Sequence, residues 1–323
     1  MPLRITLRQL RLVRAVADEG SFSGAARRLH LTQPTLSVQA RQLTDYVGEP
    51  VFEQVGRRVA LTEAGREVLA TAIEVEQAMQ QLAQRLAERR GVTRGSLRVV
   101  ATSTSEYFLP RLLGEFGRRY PQVEISLEVL NRASVVARLA ENVADLYVMA
   151  RPPQDDALLA EPFCRNPLVL VAPADHPWAQ RETVPFSEVM AAPLILREQG
   201  SGTRAWLEQY FAESGGSPQA RMTLGSNEAI KQAVRGGIGP AVLSLHGVLM
   251  ELDAGQLAPV RAERFPLAAD WYLVTRRMRP LPPAARAFRA FLNEAMPDLQ
   301  LQLKEHERPF QSGAGRVQSG LPQ

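Results

Sequence analysis

The chain has 323 residues, 45% hydrophobic and 22% charged, enough for two or three domains around sizeable cores. No run of eighteen apolar residues exists, which excludes a spanning helix. The opening MPLRITLRQLRLV lacks the apolar stretch and small-residue cleavage site of a secretory signal, so a cytoplasmic protein without a membrane partner is expected, and one cysteine, Cys164, excludes an intrachain disulfide.

The net charge of +4 is concentrated at one end. Residues 1–61 hold nine arginines against five acids, whereas the remaining 29 basic and 29 acidic residues cancel. A basic module on a neutral body suits attraction to phosphates.

Residues 1–61 read as a winged helix-turn-helix domain. Leu7, Leu10, Val13, Val16 and Ala17 mark a first amphipathic helix. Phe22 fills the gap before a second helix, with Ser23 as its expected cap and Ala25, Ala26 and Leu29 as its apolar face. His30 and Leu31 turn the chain. Thr32 caps a third helix, with Pro34 in the first turn, where a missing N–H is harmless. Leu36, Ala40 and Leu43 then face inward, leaving Gln33, Thr35, Ser37, Val38 and Arg41 outward. Gln33 matches an adenine edge and Arg41 a guanine or a phosphate, while Thr35, Ser37 and Val38 suit thymine methyls or phosphates. Arg28, Gln39, Arg57 and Arg58 are expected to set register on the DNA backbone. Ser23, Thr32 and Pro34 complete the expected DNA-binding set. Residues 51–55 and 58–61 read as a two-stranded wing with Gly56-Arg57 at its tip.

Residues 62–91 read as one long helix opened by Thr62. Val68, Ala72, Val75, Met79, Leu82 and Leu86 are spaced 4-3-4-3-4, a heptad seam. The preferred reading is a dimerisation linker; a helix packed on its own domain is the other. A paired module implies a two-fold related double-stranded DNA target.

From Gly95 the pattern alternates between strand and helix. Strands are predicted at 97–102, 123–129, 146–149, 168–171, 194–196, 222–224, 240–244 and 271–275. Helices are predicted at 108–120, 134–141, 186–190, 203–214, 227–235 and 283–296. Such alternation implies parallel sheets. Residues 304–323 lack apolar periodicity and read as a disordered tail.

Polar groups recur at the loop ends of this α/β region: Ser103 and Thr104; Asn131 and Arg132; Ala150 and Arg151; Ser201, Gly202, Thr203 and Arg204; Ser226, Asn227 and Lys231. Ligands of such sheets lie outside the carboxyl ends of the strands, and these hydroxyls and cations suit a phosphorylated or otherwise anionic metabolite. The bland reading makes each Ser or Thr a helix cap and Arg132 and Arg151 surface ion-pair partners. An enzyme is not expected. The four histidines are scattered, no G-x-S-x-G elbow occurs, and Gly236-Gly237-Ile238-Gly239 follows a helix, the reverse of a dinucleotide loop.

With this order of parts, SFSGAARRLHLTQPTLS, VFEQVGRRVALTEAG and AARAFRAFL resemble a LysR-type transcriptional regulator along nearly the whole chain. The resemblance implies an α+α/β fold class: a winged helix-turn-helix, a long linker helix and a two-lobed, periplasmic-binding-protein-like α/β domain over 95–303. Lobe one would be 95–164 with 269–303, and lobe two 165–268. The phrases SLEVLNR, NPLVLVAPADHPWA, REQGSGTR, LGSNEAIKQAV and WYLV are similar to the branch that activates Calvin-cycle (RuBisCO) operons. That branch implies NADPH or a phosphorylated sugar or other metabolite as effector, a homotetramer, and an effect on DNA bending and RNA polymerase access. A LysR-type regulator of another operon, sensing an aromatic or amino acid, is the competing reading. A solute-binding protein for transport is the remote one.

Overall fold

The computed structural model describes residues 5–56, 58–88 and 95–311. The chain divides into two compact units, residues 1–90 with 141–143, and the remainder. Among the described residues no helix is long and apolar enough to cross a membrane.

In the first unit α1 (Leu7–Glu19) opens with a reciprocal cap. The Thr6 hydroxyl accepts from Gln9 N, and the Gln9 side chain accepts from Thr6 N at 2.9 Å. The helix stops at Gly20, whose φ of +61° suits a residue without Cβ. α2 (Phe22–Arg28) is capped by Ser21, not by the expected Ser23: Ser21 is extended and its Oγ accepts from Gly24 N at 3.1 Å. Ser23 lies one residue inside the helix. α3 (Gln33–Val47) starts at Thr32, which accepts from Thr35 N at 3.4 Å. Between α2 and α3, His30 turns the chain with a φ of +54°. β1 (Phe52–Val55) and β2 (Arg58–Leu61) form the antiparallel wing, and α4 (Glu63–Glu88) follows.

Two apolar clusters hold this unit. Leu12, Val16, Ala25, Ala26, Leu36 and Ala40 join the three small helices. Leu10, Val13, Leu43, Val51, Val68 and Ala72 join α1 and the wing to α4. The first half of the heptad seam is therefore spent inside the unit: Val68 and Ala72 are buried and Val75 packs against the same cluster. An Arg14–Glu76 ion pair closes this contact. This corrects the expectation of a seam free over its whole length. The cause is α1, whose spacing of Leu10 and Val13 offers α4 a partner face in its own unit.

The second unit is built from two sheets. β3 (Gly95–Thr102) leads through a 3-10 turn (Ser103–Tyr107) and α5 (Leu109–Arg119) to β4 (Val123–Leu130), α6 (Arg132–Ala140), β5 (Leu146–Met149) and β6 (Leu158–Arg165). The chain then crosses to β7 (Leu168–Ala172), α7 (Phe186–Ala191), β8 (Pro193–Arg197), α8 (Gly202–Glu213), β9 (Gln219–Leu224), α9 (Asn227–Arg235), β10 (Ala241–Ser244), α10 (Leu249–Asp253) and β11 (Ala258–Pro259). It returns as β12 (Asp270–Arg276) and α11 (Pro283–Glu307). The strand orders are β4-β3-β5-β12-β6 and β11-β7-β10-β8-β9.

Neither sheet is wholly parallel, contrary to expectation. β4, β3 and β5 run parallel, with β12 antiparallel to β5 and β6 antiparallel to β12. Likewise β9, β8 and β10 run parallel, with β7 antiparallel to β10 and β11 antiparallel to β7. The reversed strand of each sheet, β12 in one and β7 in the other, is the one that directly follows a crossing between the sheets. β6 is an addition to the expected strands; it holds Pro162, whose missing N–H an edge strand tolerates.

The two crossing segments are zipped together. Asn166 N donates to Ala269 O at 2.7 Å, and Leu168 and Leu267 exchange backbone hydrogen bonds of 3.0 and 2.9 Å. β7 reads LVLVA because both its faces are buried. Val169 and Val171 join a cluster that draws on both lobes, including Val99 and Trp271 of one and Ile195, Val234 and Leu243 of the other, while Leu168, Leu170 and Ala172 join a separate cluster with Phe186, Leu207 and Phe211. At the crossing, Phe108 lies 4.7 Å from the His246 ring and 5.4 Å from Trp271. His246 is buried, with Nε2 2.9 Å from Arg165 O, and burial lowers its pKa to about 4.

The C-terminal expectation is also corrected. α11 continues to Glu307 rather than ending near 296, and a 3-10 turn (Arg308–Phe310) follows. Leu303 and Phe310 are buried, and Glu307 takes both Arg165 Nη atoms at 2.7 and 3.0 Å. Residues 304–310 are thus ordered by contacts distant in sequence, which local periodicity does not register. The rest of the expected tail, 312–323, lies outside the described residues.

Candidate functional site

The first site is the outer face of α3. Leu36, Ala40 and Leu43 point into the cores, which turns Gln33, Pro34, Thr35, Ser37, Val38 and Arg41 outward. Val38 is 57% exposed, an outlay of apolar surface with no partner inside the unit. Ser23 Oγ donates to Gln33 Oε1 at 3.3 Å, and the Thr32 and Thr35 hydroxyls lie 2.8 Å apart. Ser23 and Thr32 thus hold the start of α3 in addition to presenting hydroxyls. Gln39 is only half-exposed, and its Oε1 is buried without a hydrogen-bond partner among the described residues. Arg28 is tied to Asp18 at 2.9 Å and Glu19 at 3.5 Å, which offsets its charge. Arg58 is exposed at the start of β2; Arg57 lies outside the described residues.

The wing is fixed against α4 by a close approach. Thr62 Oγ1 donates to Pro50 O at 2.6 Å and accepts from Gly65 N at 3.0 Å, the cap expected of it. A Cβ on Gly65 would stand 2.1 Å from Val51 O. Only glycine allows the helix to pass this carbonyl.

The remaining seam residues are Met79, 52% exposed, and Leu82, 45% exposed; the side chain of Leu86 lies outside the described residues. Leu7, Leu10, Arg11, Ala72, Val75, Glu76 and Met79 line a groove of about 300 Å³ between α1 and α4.

The second site is the cleft between the two lobes, and its centre is a residue the sequence reading missed. Arg197, the last residue of β8, is 3% exposed. Its guanidinium donates to Asn227 Oδ1, to Ser103 Oγ at 3.2 Å, and to both Glu198 carboxylate oxygens at 2.8 and 3.1 Å. Ser103 belongs to lobe one and the others to lobe two, so Arg197 bridges the cleft. The Arg197 contact fixes the Asn227 amide with its oxygen toward the guanidinium. Asn227 Nδ2 is buried with no hydrogen-bond partner among the described residues. Ser201 is buried at the start of α8, and Thr104 in the turn after β3. A charged strand end directly after the apolar LIL was the signal available, the same rule that selected the other loop ends.

Other expected members are already engaged. Lys231 is buried, with Nζ 2.7 Å from Glu228, 2.8 Å from Glu251 and 4.8 Å from the Tyr107 ring centre. Tyr107 donates to Glu228 at 2.9 Å. Burial works against the Glu228 charge, yet the hydrogen bonds from Lys231 and Tyr107 outweigh it and hold the carboxyl below its usual range. Burial and the same carboxylate push the Tyr107 phenol up. Arg204 donates to Glu208 at 2.7 Å and to Arg197 O at 2.9 Å, bracing β8. Asn131 accepts from Ser134 N at 2.9 Å and Ser226 from Ala229 N at 3.4 Å, both as helix caps. Lys231 and Arg204 are therefore not free cations of the cleft.

The far side of the cleft is closed by backbone. Ala133 N donates to Gly200 O at 3.2 Å, and Gly200 holds a φ of +86° beside Ala133. Gly202 faces Arg132, whose Nε donates to Arg151 O at 2.9 Å. Arg151 lies 5.2 Å over Trp206 and donates to Gln209; burial, then the Arg132 charge, lowers its pKa. Ala150 packs on the apolar cluster that draws on both lobes, and Thr203 is half-buried in the first turn of α8. Among the described residues no group of three His, Cys, Asp or Glu could hold a metal. Cys164 is buried and its thiol is pushed up to about 12.

The chain matches the family model of the LysR substrate binding domain over residues 90–297 and that of the bacterial regulatory helix-turn-helix protein, lysR family, over residues 7–66. It is 44% identical over 294 residues to a RuBisCO operon transcriptional regulator of Allochromatium vinosum, covering 91% of this chain and 97% of that one. It is 41% identical to the HTH-type transcriptional activator CmpR of Synechocystis over 89% of this chain and 94% of that one. Among solved structures, the regulatory domain of Synechocystis CcmR in complex with 2-PG is 37% identical, with a TM-score of 0.60 over 62% of this chain and 97% of that one.

Proposed function

Because this chain belongs to the LysR family of bacterial helix-turn-helix regulators, we propose that it activates a carbon-fixation (RuBisCO) operon in response to a phosphorylated metabolite held between its two lobes. The observation that carries the ligand class is the buried Arg197, bridging Ser103 and Asn227 beside an unpartnered Asn227 Nδ2. A buried guanidinium with neighbouring N–H and hydroxyl donors is phosphate-binding chemistry. The 2-PG bound by CcmR supports the same class; NADPH, whose phosphates offer the same groups, is a second candidate ligand.

The exposed face of α3 reads base edges through Gln33 and Arg41, with Thr35, Ser37 and Val38 beside them. Arg28, Gln39, Arg57 and Arg58 set register on phosphates. Met79 and Leu82 are the part of the heptad seam left for a second copy, so two modules address a two-fold related operator, and two such pairs make the tetramer. The metabolite favours one arrangement of the lobes, because a ligand shifts an equilibrium only by its differential affinity. The altered spacing of the DNA modules then changes DNA bending and RNA polymerase access.

A shift assay at fixed salt tests the DNA face. Gln33→Ala and Arg41→Ala are each expected to lose about tenfold or more of the preference for the upstream DNA over a scrambled duplex, from the ~1–3 kcal/mol of a good bidentate base contact. Unchanged preference in both variants removes the assignment.

A further inference from the structure

The cleft that would receive an anion is already supplied with carboxylates. Its two buried cations, Arg197 and Lys231, carry three between them: Glu198 on Arg197, and Glu228 and Glu251 on Lys231. Lys231 is enclosed from both sides and by the Tyr107 ring, so no edge of it is left for a ligand. Arg197 differs. Asn227 holds one Nη and Ser103 reaches the other, but Nε and that second Nη form the flat edge that takes a two-oxygen acceptor, and Glu198 occupies it.

Two oxygens at 2.8 and 3.1 Å from Nε and Nη2 are the arrangement a phosphate or carboxylate ligand would adopt on a guanidinium. Glu198 is the residue directly after Arg197, so its carboxylate is present at a high effective concentration wherever the guanidinium goes. It is also the movable partner. Its side chain is 25% exposed against 3% for Arg197, so it can swing into water without leaving a buried unpaired charge of its own. Asn227 and Ser103, by contrast, are built into the turns at the start of α9 and the end of β3. Asn227 Nδ2, buried with no hydrogen-bond partner among the described residues, is a further donor on the side chain that holds the other Nη.

We infer that Glu198 is a tethered competitor for the anion seat on Arg197, which an anionic effector must displace from the guanidinium edge. Glu198 then sets the concentration at which the regulator responds. The displaced carboxylate also contributes like-charge repulsion, which disfavours an anion that engages Arg197 through one oxygen only. The inference rests on the reading of the cleft as a phosphate-binding site.

The test is calorimetric titration of the full chain with 2-phosphoglycolate and, separately, inorganic phosphate. Glu198→Gln keeps size and polarity but removes the charge, and is expected to bind 2-phosphoglycolate about tenfold more tightly, ~1.4 kcal/mol. Glu198→Ala gives the same direction and stands in should the first variant fail to fold, as judged by its circular dichroism. Unchanged or weaker binding by the folded variant overturns the inference, since the carboxylate would then orient Arg197 rather than compete for it. Arg197→Lys, which keeps the charge but loses the flat edge, is expected to lose binding in either background. Should Arg197→Lys bind as the parent does, or should neither parent nor Glu198→Gln take up either probe, the phosphate-site reading itself fails, whatever Glu198 does.

Discussion

Gly65→Ala is expected to disable the DNA-binding unit while sparing the cleft. The added Cβ would stand 2.1 Å from Val51 O and 3.1 Å from Leu61 Cβ. Neither atom is the end of a flexible side chain. Val51 is buried, and its carbonyl accepts from Thr62 N at 3.2 Å. Relief requires the wing to move away from α4 by about an ångström, an overpacking cost of about 3 kcal/mol. That movement also stretches the Thr62 hydrogen bonds to Pro50 O and Gly65 N, at about 1 kcal/mol each. Alanine returns about 1 kcal/mol of helix propensity. The net is a loss of about 4 kcal/mol, or a fall of more than about 10 °C in the melting of a unit this size. Differential scanning calorimetry of the full chain and a shift assay with its upstream DNA measure the two consequences, and 2-phosphoglycolate titration checks that the cleft is intact. A Gly65→Ala variant that melts and binds DNA as the parent does would refute the close-approach argument.

Three other outcomes are expected. Gly114→Ala, on the exposed face of α5 with nothing within 4 Å of the added Cβ, should stabilise its unit by up to about 1 kcal/mol, and a loss measured by urea unfolding would contradict the open space there. Phe310→Ala should cost about 3 kcal/mol, because the ring is fully buried; a disordered tail from 304 onward predicts no change in the same urea titration. His246 should make stability fall with acid. Burial holds it neutral down to about 4 in the folded chain against 6.5 when unfolded, so between these values the unfolded chain binds the extra proton. The contribution is whole above pH 6.5, declines as pH falls, and levels near pH 4 after a loss of about 3 kcal/mol. His246→Phe should flatten that part of the pH dependence, and equal slopes in parent and variant between pH 7 and 4.5 would count against it.

Much of the DNA-binding unit was legible because its signals are local. Thr32, Pro34 and the spacing of Leu36, Ala40 and Leu43 specify where α3 begins and which face it buries. For α2 the sequence SFS offers two serines as caps, and only the backbone conformation selects Ser21 over the expected Ser23. The heptad spacing was equally visible, but a seam states only that a face is apolar. Whether it meets α1 of its own unit or a second copy depends on where α1 lies.

The cleft divides in the same way. Loop ends carrying Ser103, Asn131, Ser201 and Asn227 could be picked out because strand–helix alternation marks where polar groups gather. Which cation is available there could not. Lys231 and Arg197 look alike in a sequence, yet one is enclosed by Glu228, Glu251 and Tyr107 while the other presents an edge to Glu198. The ordered end of α11 was hidden too, because Glu307 finds its arginine 142 residues away.

The amino-acid order alone therefore determined most of the helices and strands, the basic first module and the places where polar residues cluster, since these follow from periodicity, capping and charge within a few residues, whereas β6, α10, β11 and the last turns of α11 were not legible in it. Only the tertiary structure decided which charges neutralise one another, which half of the α4 seam is consumed, and that Arg197 is the centre of the cleft. Those outcomes depend on distances between segments far apart along the chain, and both Coulomb attraction and burial act through such distances rather than through sequence neighbours.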